Sequence, residues 1–407
     1  MSKHAVVIGA GITGSLSAVA LAQAGWQVTL VEAQDAGSGS SSRSAACIRQ
    51  QFSTESTVRA MRYCVDFYAA FFKHMGLKDE SPVIVQNGYL FLHNDEQRWR
   101  AAKAHTQIQI EAGLDDVQAL DPKTVVERFP FVDKTGLIGG TWCPSDGFLR
   151  PDLVYLGAVE ALRALGARVM LNAPVQGGLV IGDRLAEIHT SRGKVGGDLF
   201  VNATNAWAPQ ISSMLGATEL PISALKRYLY FLRRGSSMSG EELAAMPMTI
   251  SPSRAYCRPE NKEQMLLGWA HHAHADPDFG HESQDFIEPS FHHAQGLDNF
   301  GVRLWMELAG YLPPLMDFRG LDATTAGYYA ATPDHNPIFD LDPILPNLLH
   351  AAGFSGHGAM MGPFSARVVT ALAENPKTQE IKLETGCVSL AAFKLDRDYE
   401  HSEAMVI

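Results

Sequence analysis

Three glycines follow a short apolar run near the start of the chain. Residues 5–8 are Ala-Val-Val-Ile, and Gly9, Gly11 and Gly14 then form the pattern G-x-G-x-x-G. In a dinucleotide site the first glycine forms the turn, the second lets a pyrophosphate approach the backbone, and the third lets helix and strand pack closely. Glu32 ends the next apolar run, where a carboxylate would accept hydrogen bonds from a ribose. The segment therefore predicts a strand, a turn, a helix and a strand that bind a dinucleotide.

A loop of small and polar residues follows, from position 37 to 53. It reads GSGSSSRSAACIRQQFS and contains the basic residues Arg43 and Arg49. An NAD dehydrogenase would be expected to continue its parallel sheet directly at this point, so the loop departs from that class. The serine hydroxyls and Arg43 would add hydrogen-bond donors to a bound pyrophosphate. The alternative interpretation is an exposed, flexible loop.

A second glycine-rich loop lies near the other end of the sequence. Residues 351–363 read AAGFSGHGAMMGP and open into a predicted helix. A helix N-terminus offers unpaired N–H groups and the positive end of the helix dipole to an anion. One nucleotide-phosphate site needs only one such loop, so the second loop requires a separate explanation.

Composition narrows the class of protein and its partners. A chain of 407 residues with 46% hydrophobic and 19% charged residues is long enough for two globular domains. The net charge of -11 disfavours nucleic acid and acidic membranes as general partners, since like charges repel, and leaves small molecules. No run provides the roughly 20 apolar residues of a membrane helix. Five scattered cysteines without a C-x-x-C pair predict neither a disulfide framework nor a zinc site, and indicate a reducing, cytoplasmic location.

The stretch HHAHADPDFGH, residues 271–281, invites a metal interpretation. Its aspartates, prolines and glycine are typical of a loop, and no helical spacing of metal ligands accompanies the histidines. We therefore expect a solvated loop and no metal site.

Five landmarks in order along the chain resemble the D-amino acid oxidase superfamily of FAD-dependent oxidoreductases. They are VVIGAGITG with LVEA, SSSRSAACIRQQF, DLFVNATNAWAP, GYYAATPDHNPI and AAGFSGHGAMMGP. Within the superfamily the pattern is similar to sarcosine oxidases, to proline and dimethylglycine dehydrogenases, and to D-arginine dehydrogenase. The resemblance implies an α/β fold with a Rossmann domain of the glutathione-reductase type and a discontinuous substrate domain built on an antiparallel sheet. The expected FAD-binding domain comprises residues 1–79, 146–221 and 326–407, and the expected substrate domain comprises 80–145 and 222–325.

The resemblance also explains the second glycine loop. In the superfamily the first loop holds the ADP half of FAD, and the late loop surrounds the pyrimidine end of the flavin, where backbone N–H groups stabilise negative charge. The cofactor-binding residues implied in this way are Gly9, Gly11, Gly14, Glu32, Ala33, Ser41, Ser42, Arg43, Ser44, Ala45, Val175, Ala203, Thr204, Trp207, Gly353, Ser355, Gly356, His357, Gly358 and Met360.

Two of these assignments have alternatives, and the form of the cofactor is also implied. Trp207 belongs either to the core or to the flavin site, and His357 either contacts flavin or faces solvent or the packed interior. Asn205 occupies a position where the superfamily has glycine, and asparagine tolerates a left-handed backbone better than most residues. Gly327 and a residue near Ser44 stand where relatives attach flavin covalently, so FAD is expected to be non-covalent.

The implied substrate residues come from distant segments. Tyr256 and Arg258 are two apart on a predicted strand and share one face. A lysine that holds the substrate carboxylate in monomeric sarcosine oxidase is replaced by Met360, which leaves Arg49 as the best remaining carboxylate clamp. Tyr329 is a third candidate for positioning the substrate. Trp269 and Met360 are candidate apolar walls.

The resemblance implies oxidation of a C–N bond in a small amino acid or secondary amine. A hydride would pass from the substrate to flavin N5, and water would hydrolyse the resulting imine. Leu266 replaces an oxygen-activating lysine, which favours a dehydrogenase over an oxidase; the electron acceptor is oxygen, a quinone or a partner protein. The alternatives are oxidation of a 2-hydroxy acid or glycerol phosphate, and a flavin-binding subunit that needs a partner subunit.

Overall fold

The computed structural model describes residues 3–78, 81–269, 295–400, 403 and 405. The strands of this part of the chain are β1 (His4–Ile8), β2 (Gln27–Val31), β3 (Cys47–Ile48), β4 (Ile84–Val85), β5 (Tyr89–His93), β6 (Gln118–Leu120), β7 (Gly139–Cys143), β8 (Gly147–Leu149), β9 (Arg168–Met170), β10 (Val175–Ile181), β11 (Arg184–Thr190), β12 (Gly193–Gly196), β13 (Leu199–Asn202), β14 (Ser223–Arg233), β15 (Met248–Ile250), β16 (Ala255–Pro259), β17 (Gln264–Trp269), β18 (Leu321–Ala331), β19 (Ile338–Leu341), β20 (Leu348–Ala352), β21 (Glu380–Leu383) and β22 (Gly386–Ser389). The helices are α1 (Ile12–Gln23), α2 (Glu55–Ala69), α3 (Phe71–Met75), α4 (Glu96–Glu111), α5 (Pro122–Arg128), α6 (Pro151–Ala164), α7 (Ala208–Leu215), α8 (Gly240–Ala245), α9 (Phe300–Tyr311) and α10 (Gly358–Glu374).

A six-stranded sheet in the order β19, β20, β13, β1, β2, β9 forms the first layer. All its pairs are parallel except the edge pair of β19 and β20. Strand β1 is almost entirely buried, because helices cover a parallel sheet on both faces and its strands are therefore continuously apolar. Helix α1 packs against α6 and α10, and α10 packs against α2. The sequence therefore forms the Rossmann layer that the glycine pattern predicts.

An eight-stranded sheet in the order β18, β14, β17, β16, β15, β5, β7, β6 forms the second layer. Its pairs are antiparallel except that of β15 and β5. Side chains alternate between the two faces: one face packs against α9 through residues such as Tyr230, Leu267 and Leu304. The opposite face carries a smaller apolar cluster that includes Leu229 and Tyr256. This second face adjoins the candidate site.

Local side chains define several helix ends. Thr54 accepts a hydrogen bond from the backbone N–H of Thr57 at the start of α2, and Asp95 and Asn299 cap α4 and α9 in the same way. Such caps satisfy backbone N–H groups that have no partner within the helix. The sequence of residues 56–75 predicts one continuous helix, but the structure has two helices there, α2 and α3, which are separated at Ala70.

The α/β fold class with a second, largely antiparallel sheet is confirmed. The division of the chain into two domains stays a prediction, and its boundary at 326 falls inside β18. All five cysteines are free thiols. In the described part of the chain, no helix is long and apolar enough to cross a membrane and no group of side chains is arranged to hold a metal. The histidine-rich stretch 271–281 lies outside the described residues.

Candidate functional site

The first glycine turn packs so tightly that side chains are excluded. A Cβ atom on Gly14 would lie 2.0 Å from the carbonyl oxygen of Gly9, and Gly9 itself has φ +104°. A Cβ on Gly9 would lie 2.8 Å from the carbonyl oxygen of Ala203 on the neighbouring strand end. Glycine is therefore required here by the backbone of β1, α1 and β13, which is the role that the spacing predicts for it.

Polar groups converge at the N-terminus of α1. Glu32 accepts a hydrogen bond from the N–H of Ala10 at 2.7 Å and one from the N–H of Gln34 at 3.0 Å. The hydroxyl of Ser41 accepts a hydrogen bond from the N–H of Ile12 at 3.0 Å. A helix N-terminus with a nearby hydroxyl is suited to a pyrophosphate, and the carboxylate of Glu32 is suited to ribose hydroxyls.

One large cavity of about 350 Å³ connects the two sheets. Its wall includes Glu32 and Val175 near the parallel sheet, and Tyr256 and Tyr329 from the antiparallel sheet. The cofactor residues implied by the resemblance that line it are Gly9, Gly11, Glu32, Ala33, Ser41, Arg43, Ser44, Ala45, Val175, Ala203, Thr204, Trp207, Gly356 and Gly358. The structure therefore brings both glycine loops to one cavity that extends from the ribose-binding end to the antiparallel sheet.

Four of the implied residues support the cavity without lining it. Gly14 packs under the turn, and the hydroxyl of Ser42 contacts the carbonyl oxygen of Gly39 at 3.5 Å. The N–H of Gly353 donates to the side chain of Asn205, and the hydroxyl of Ser355 accepts from the N–H of Thr332 at 3.2 Å. These residues hold the loops rather than contact the space between them.

The late glycine loop depends on left-handed backbone conformations. Gly353, Ser355 and Gly356 have φ values of +78°, +50° and +91°. A Cβ on Gly356 would lie 2.6 Å from the ring of Tyr329, so only glycine lets the loop approach β18. Asn205 also has a positive φ, +50°, and its side-chain oxygen accepts hydrogen bonds from the N–H groups of Gly353 at 3.1 Å and Phe354 at 3.3 Å. The asparagine thus links the end of β13 to this loop.

A second, smaller cavity of about 40 Å³ adjoins the first. It is called the substrate cavity below, after the residues that the resemblance implies for substrate binding. It shares five wall residues with the larger cavity, namely Ser44, Ala45, Tyr256, Tyr329 and Gly356. Its other wall residues are Ala46, Cys47, Arg49, Tyr89, Met248, His357 and Met360. Of the implied substrate residues, it brings together Arg49, Tyr256, Tyr329 and Met360.

Four wall residues were missed by sequence reasoning, namely Ala46, Cys47, Tyr89 and Met248. Ala46 and Cys47 directly follow the predicted Ala45. Tyr89 and Met248 lie at the starts of β5 and β15, which pair in parallel with Tyr89 opposite Met248. The continuous apolar run Tyr-Leu-Phe-Leu in β5 is typical of a buried strand, but no local signal in the sequence shows that β5 and β15 are neighbours. The pairing of β5 with β15 is therefore known only from the structure.

Arg49 lies in the wall with its guanidinium already engaged. It donates hydrogen bonds to the backbone carbonyl oxygens of Gln51 and Met405, and its guanidinium carbon lies 3.9 Å from the ring centre of Phe52. Burial lowers the pKa of Arg49, while the nearby Tyr89 and Glu403 side chains oppose that shift. The residue therefore supplies positive charge to the substrate cavity and also holds the backbone around it.

His357 is a neutral imidazole in the wall. Burial, together with the positive charge of Arg49, lowers its pKa to about 3. Its ring meets the ring of Phe52 edge-on, with centres 5.4 Å apart. His357 is therefore a packed residue of the substrate cavity, just before α10, and carries no charge at neutral pH.

Tyr256 depends on Gly268 for its position. The two residues face each other across β16 and β17, and a Cβ on Gly268 would lie 2.2 Å from the tyrosine hydroxyl oxygen. The ring therefore lies across the place that any other side chain at 268 would occupy, and it lines both cavities.

Arg258 shares the face of Tyr256, as the two-residue spacing predicts, but it does not line the substrate cavity. Its Nε donates to the carbonyl oxygen of Ala45 at 2.7 Å, and it forms an ion pair with Glu260 at 2.8 Å. Its guanidinium lies 4.6 Å from the ring centre of Phe148. Arg258 therefore positions the Ala45 backbone beside both cavities.

The assignment of Trp269 as a cavity wall is wrong. Its side chain lies on the opposite face of the sheet, 5.6 Å from the ring centre of Phe300 in α9, and its Nε1 donates to the carbonyl oxygen of Ser253 at 3.0 Å. The reason is strand parity: Gly268 faces Tyr256, so the next residue points away.

Comparison with known proteins identifies the family. A family model described as FAD dependent oxidoreductase matches residues 4–372. The chain belongs to this family. It is 26% identical over 372 residues to FAD-dependent oxidoreductase domain-containing protein 1 of Bos taurus, covering 83% of this chain and 72% of that protein. It is 26% identical over 398 residues to a glycine oxidase of Pseudomonas aeruginosa, covering 91% and 95% of the two chains. Among solved structures, L-proline dehydrogenase from P. horikoshii superposes with a TM-score of 0.79 at 29% identity, over 93% of this chain and 95% of that one.

Membership of the FAD-dependent oxidoreductase family confirms both the resemblance and the cofactor. The turn at Gly9, the carboxylate of Glu32, the hydroxyl of Ser41 and the late loop at Gly356 would hold FAD in the larger cavity, and the residues present fit that group. Residues of both glycine loops line the same cavity, so the two loops would contact one extended cofactor from opposite ends of the sequence.

Proposed function

We propose that the protein oxidises the C–N bond of a small amino acid or secondary amine. The observation that carries this proposal is the small substrate cavity that shares Ser44, Ala45, Tyr256, Tyr329 and Gly356 with the larger cavity, which is called the cofactor cavity from here on. The similarity to proteins named glycine oxidase and L-proline dehydrogenase supports the substrate class.

The size of the cavity favours small substrates. A volume of about 40 Å³ exceeds the roughly 10–15 Å³ that one water molecule requires by only a few times. Ala45, Ala46 and Met360 form apolar walls suited to an alkyl or ring carbon, and Arg49 provides positive charge suited to a carboxylate. Glycine, N-methyl amino acids and proline are small and carry a carboxylate, so they match the small cavity and the positive charge of Arg49.

The chain's own residues position the substrate and supply little acid or base chemistry. When bound, FAD supplies the two-electron acceptor that converts CH–NH to C=N, and water then hydrolyses the imine. Burial raises the pKa of Cys47 to about 11 and lowers that of His357 to about 3, so neither side chain is a base matched to neutral pH. The substrate amine is therefore expected to react as the free base, and kcat/KM is expected to rise with pH toward the pKa of the amine.

Two further features concern the acceptor and the attachment of FAD. Leu266 is buried on the sheet face of Tyr256 and Leu229, at the position where the resemblance puts an oxygen-activating lysine, which supports a dehydrogenase. Among the described residues that line the cofactor cavity there is no cysteine or histidine. A Cβ on Gly327 would also lie 2.9 Å from Arg43 atoms. These observations support non-covalent FAD.

The test is anaerobic reduction of the bound flavin by a substrate panel. The purified holoenzyme is mixed with glycine, sarcosine, proline, D- and L-amino acids and 2-hydroxy acids while the visible absorption is recorded. Loss of the oxidised flavin band with one amine class is the expected result. Bleaching by a 2-hydroxy acid alone, or by dithionite but by none of these compounds, would overturn the proposal.

The same sample tests the acceptor and the attachment. Reduced flavin is expected to reoxidise slowly in air-saturated buffer and rapidly with an artificial quinone acceptor, and acid precipitation is expected to release FAD into the supernatant. Rapid reoxidation by oxygen would identify an oxidase instead.

A further inference from the structure

Three consecutive polar residues are buried beside the substrate cavity. Arg49, Gln50 and Gln51 precede α2, and each is at least nine-tenths removed from solvent. The carboxylate of Asp146, in the turn between β7 and β8, is fully buried against them. Buried polar groups of this kind are costly unless each finds a hydrogen-bond partner.

The Asp146 carboxylate accepts three hydrogen bonds from this segment. Its Oδ1 accepts from the backbone N–H of Gln50 at 2.7 Å and from the Gln50 side chain at 3.1 Å. Its Oδ2 accepts from Nε2 of Gln51 at 3.1 Å. All three contacts use the ionised carboxylate as an acceptor.

Gln51 connects this carboxylate to the wall of the substrate cavity. Its Nε2 also donates to the backbone carbonyl oxygen of Tyr89 at 3.0 Å, and the backbone carbonyl oxygen of Gln51 accepts from the guanidinium of Arg49. Tyr89 and Arg49 both line the cavity. Asp146 is therefore one hydrogen-bonded residue away from two wall residues that it does not touch.

A proton on Asp146 would face only donors in the present arrangement. Within the described part of the chain, Oε1 of Gln51 is buried without a hydrogen-bond partner. Turning the Gln51 amide by half a rotation would present this oxygen to the protonated carboxyl group. The same rotation would remove Nε2 from the Tyr89 carbonyl oxygen, so that the two protonation states favour different arrangements of the wall.

Asp146 is the group in this cluster whose pKa lies near neutrality. Burial raises the pKa of Asp146 to about 6, against the opposing effects of the Gln50 and Gln51 hydrogen bonds and the charge of Arg49. The other titratable groups that face it are Tyr89 on β5 and Cys143 on β7, and burial raises the pKa of each. Both therefore stay uncharged between pH 5 and 8.

We infer that Asp146 is a positioning residue of the substrate cavity, and that its ionised carboxylate, acting through Gln51, holds Tyr89 and Arg49 in the geometry that binds substrate. Protonation of Asp146 loosens this wall. The inference rests on the proposed function for its kinetic consequences, but the hydrogen-bonded connection can be tested without turnover.

The test compares wild-type holoenzyme with Asp146→Asn. Asparagine presents an N–H donor to Gln51 and so imitates the protonated carboxyl group at every pH. Protonation of the substrate amine raises KM at low pH in both proteins, because the free base is the reacting form. In wild type, protonation of Asp146 is expected to add a further rise in KM as the pH falls through about 6, called the acid limb below, with kcat little changed. In the variant, KM at pH 8 is expected to be raised about two- to tenfold, as for loss of one hydrogen bond, and this additional acid limb is expected to be absent.

Two variants serve as controls. Asp116→Asn alters another acid in the same region. Oδ2 of Asp116 accepts a hydrogen bond from the N–H of Ser145 at 3.3 Å, and this variant should keep the acid limb of the KM profile. Gln51→Met removes the connecting amide while preserving its length, and should raise KM and weaken the limb if Asp146→Asn does not fold. A normal limb in both Asp146→Asn and Gln51→Met would overturn the inference.

A spectroscopic measurement separates this inference from the proposed function. The visible spectrum of bound FAD, recorded against pH with and without acetate as a carboxylate probe, is expected to show a transition near pH 6 in wild type that is lost in Asp146→Asn. If no amine reduces the flavin but this transition is present and lost as stated, the proposed function fails and the inference stands. An identical transition in both proteins would contradict the inference, whatever the substrate.

Discussion

At the scale of single residues, the position of Tyr256 is set by the absence of a side chain at Gly268. An alanine Cβ there would lie 2.2 Å from the tyrosine hydroxyl oxygen, so the ring must move into the cavities that it lines. We expect Gly268→Ala to lower kcat/KM at least about tenfold, because displacement of a positioning group by about 1 Å has effects of that order or larger. Steady-state kinetics of the FAD-loaded variant give the measurement.

Gly310→Ala is the matched control for Gly268→Ala. Gly310 lies in α9, and a Cβ there would meet no heavy atom within 4 Å. This change should leave kcat/KM unaltered and stabilise the protein by up to about 1 kcal/mol, since alanine is the better helix former. Equal kinetic losses in the two variants would show that the packing of Tyr256 on Gly268 has no special role.

His357 is the other residue to which a change of KM near pH 6 could be assigned, because histidine ordinarily titrates in this range. Because its pKa is lowered to about 3, the imidazole is already neutral throughout the range from pH 5 to 8. We therefore expect His357→Asn to keep the acid limb of the KM profile while changing its absolute value. Loss of that limb in His357→Asn, with retention in Asp146→Asn, would reverse the assignment of the two groups.

At the scale of elements, Asn205 joins the end of β13 to the late glycine loop. Its side chain accepts two backbone hydrogen bonds, and its own backbone has φ +50°. Asn205→Ala loses both bonds and keeps the backbone strain, whereas Asn205→Gly loses the bonds and relieves the strain. Both variants should bind FAD more weakly, and alanine should be less stable than glycine by about 1 kcal/mol.

Fluorescence titration of the apoproteins with FAD and thermal unfolding provide the two measurements for position 205. If FAD affinity is unchanged in both variants, the asparagine side chain is a local cap with no part in cofactor binding. If alanine and glycine are equally stable, the left-handed conformation carries no measurable cost at this position.

At the scale of the whole molecule, Asp146 gives folding a pH dependence opposite to that of substrate binding. Burial raises its pKa from 3.8 to about 6, so the folded protein binds the proton more tightly than the unfolded chain. Wild type should therefore gain stability relative to Asp146→Asn as the pH falls from 8 to 4, by on the order of 3 kcal/mol. Urea unfolding of both proteins across this range is the measurement, and a constant difference would contradict it.

The sequence was sufficient for features that depend on local spacing. The glycines at 9, 11 and 14, Glu32, and the shared face of Tyr256 and Arg258 follow from periodicity within one segment. The family resemblance added the late loop and the order of the landmarks. These features account for the fold class and for the two glycine loops that line the cofactor cavity.

What the sequence did not provide is the register between distant strands. Trp269 was placed on the wrong face because its parity is fixed by the pairing of Tyr256 with Gly268, which no local pattern reveals. Tyr89 and Met248 reach the site through β5 and β15, and Asp146 lies behind the site in the turn after β7. The neighbours of these segments are determined by the packing of the complete sheet. The hydrogen bonds of Arg49 were likewise not predicted. Its guanidinium donates to the backbone carbonyl oxygens of Gln51, in the loop before α2, and of Met405, which is distant in sequence.

The packing of α1 against α10 has a consequence for how the protein is made. A Cβ on Gly362 would lie 2.7 Å from Ile12, so the helix after the late loop fits directly against the helix after the first. A growing polypeptide emerges from the ribosome N-terminus first. The phosphate-binding turn is therefore synthesised before the loop that faces it across the cavity, and the segments between them are translated in the interval. Capture of the cofactor by both loops consequently follows synthesis of the late loop, so the cellular supply of flavin nucleotide acts on a chain that already contains both glycine loops.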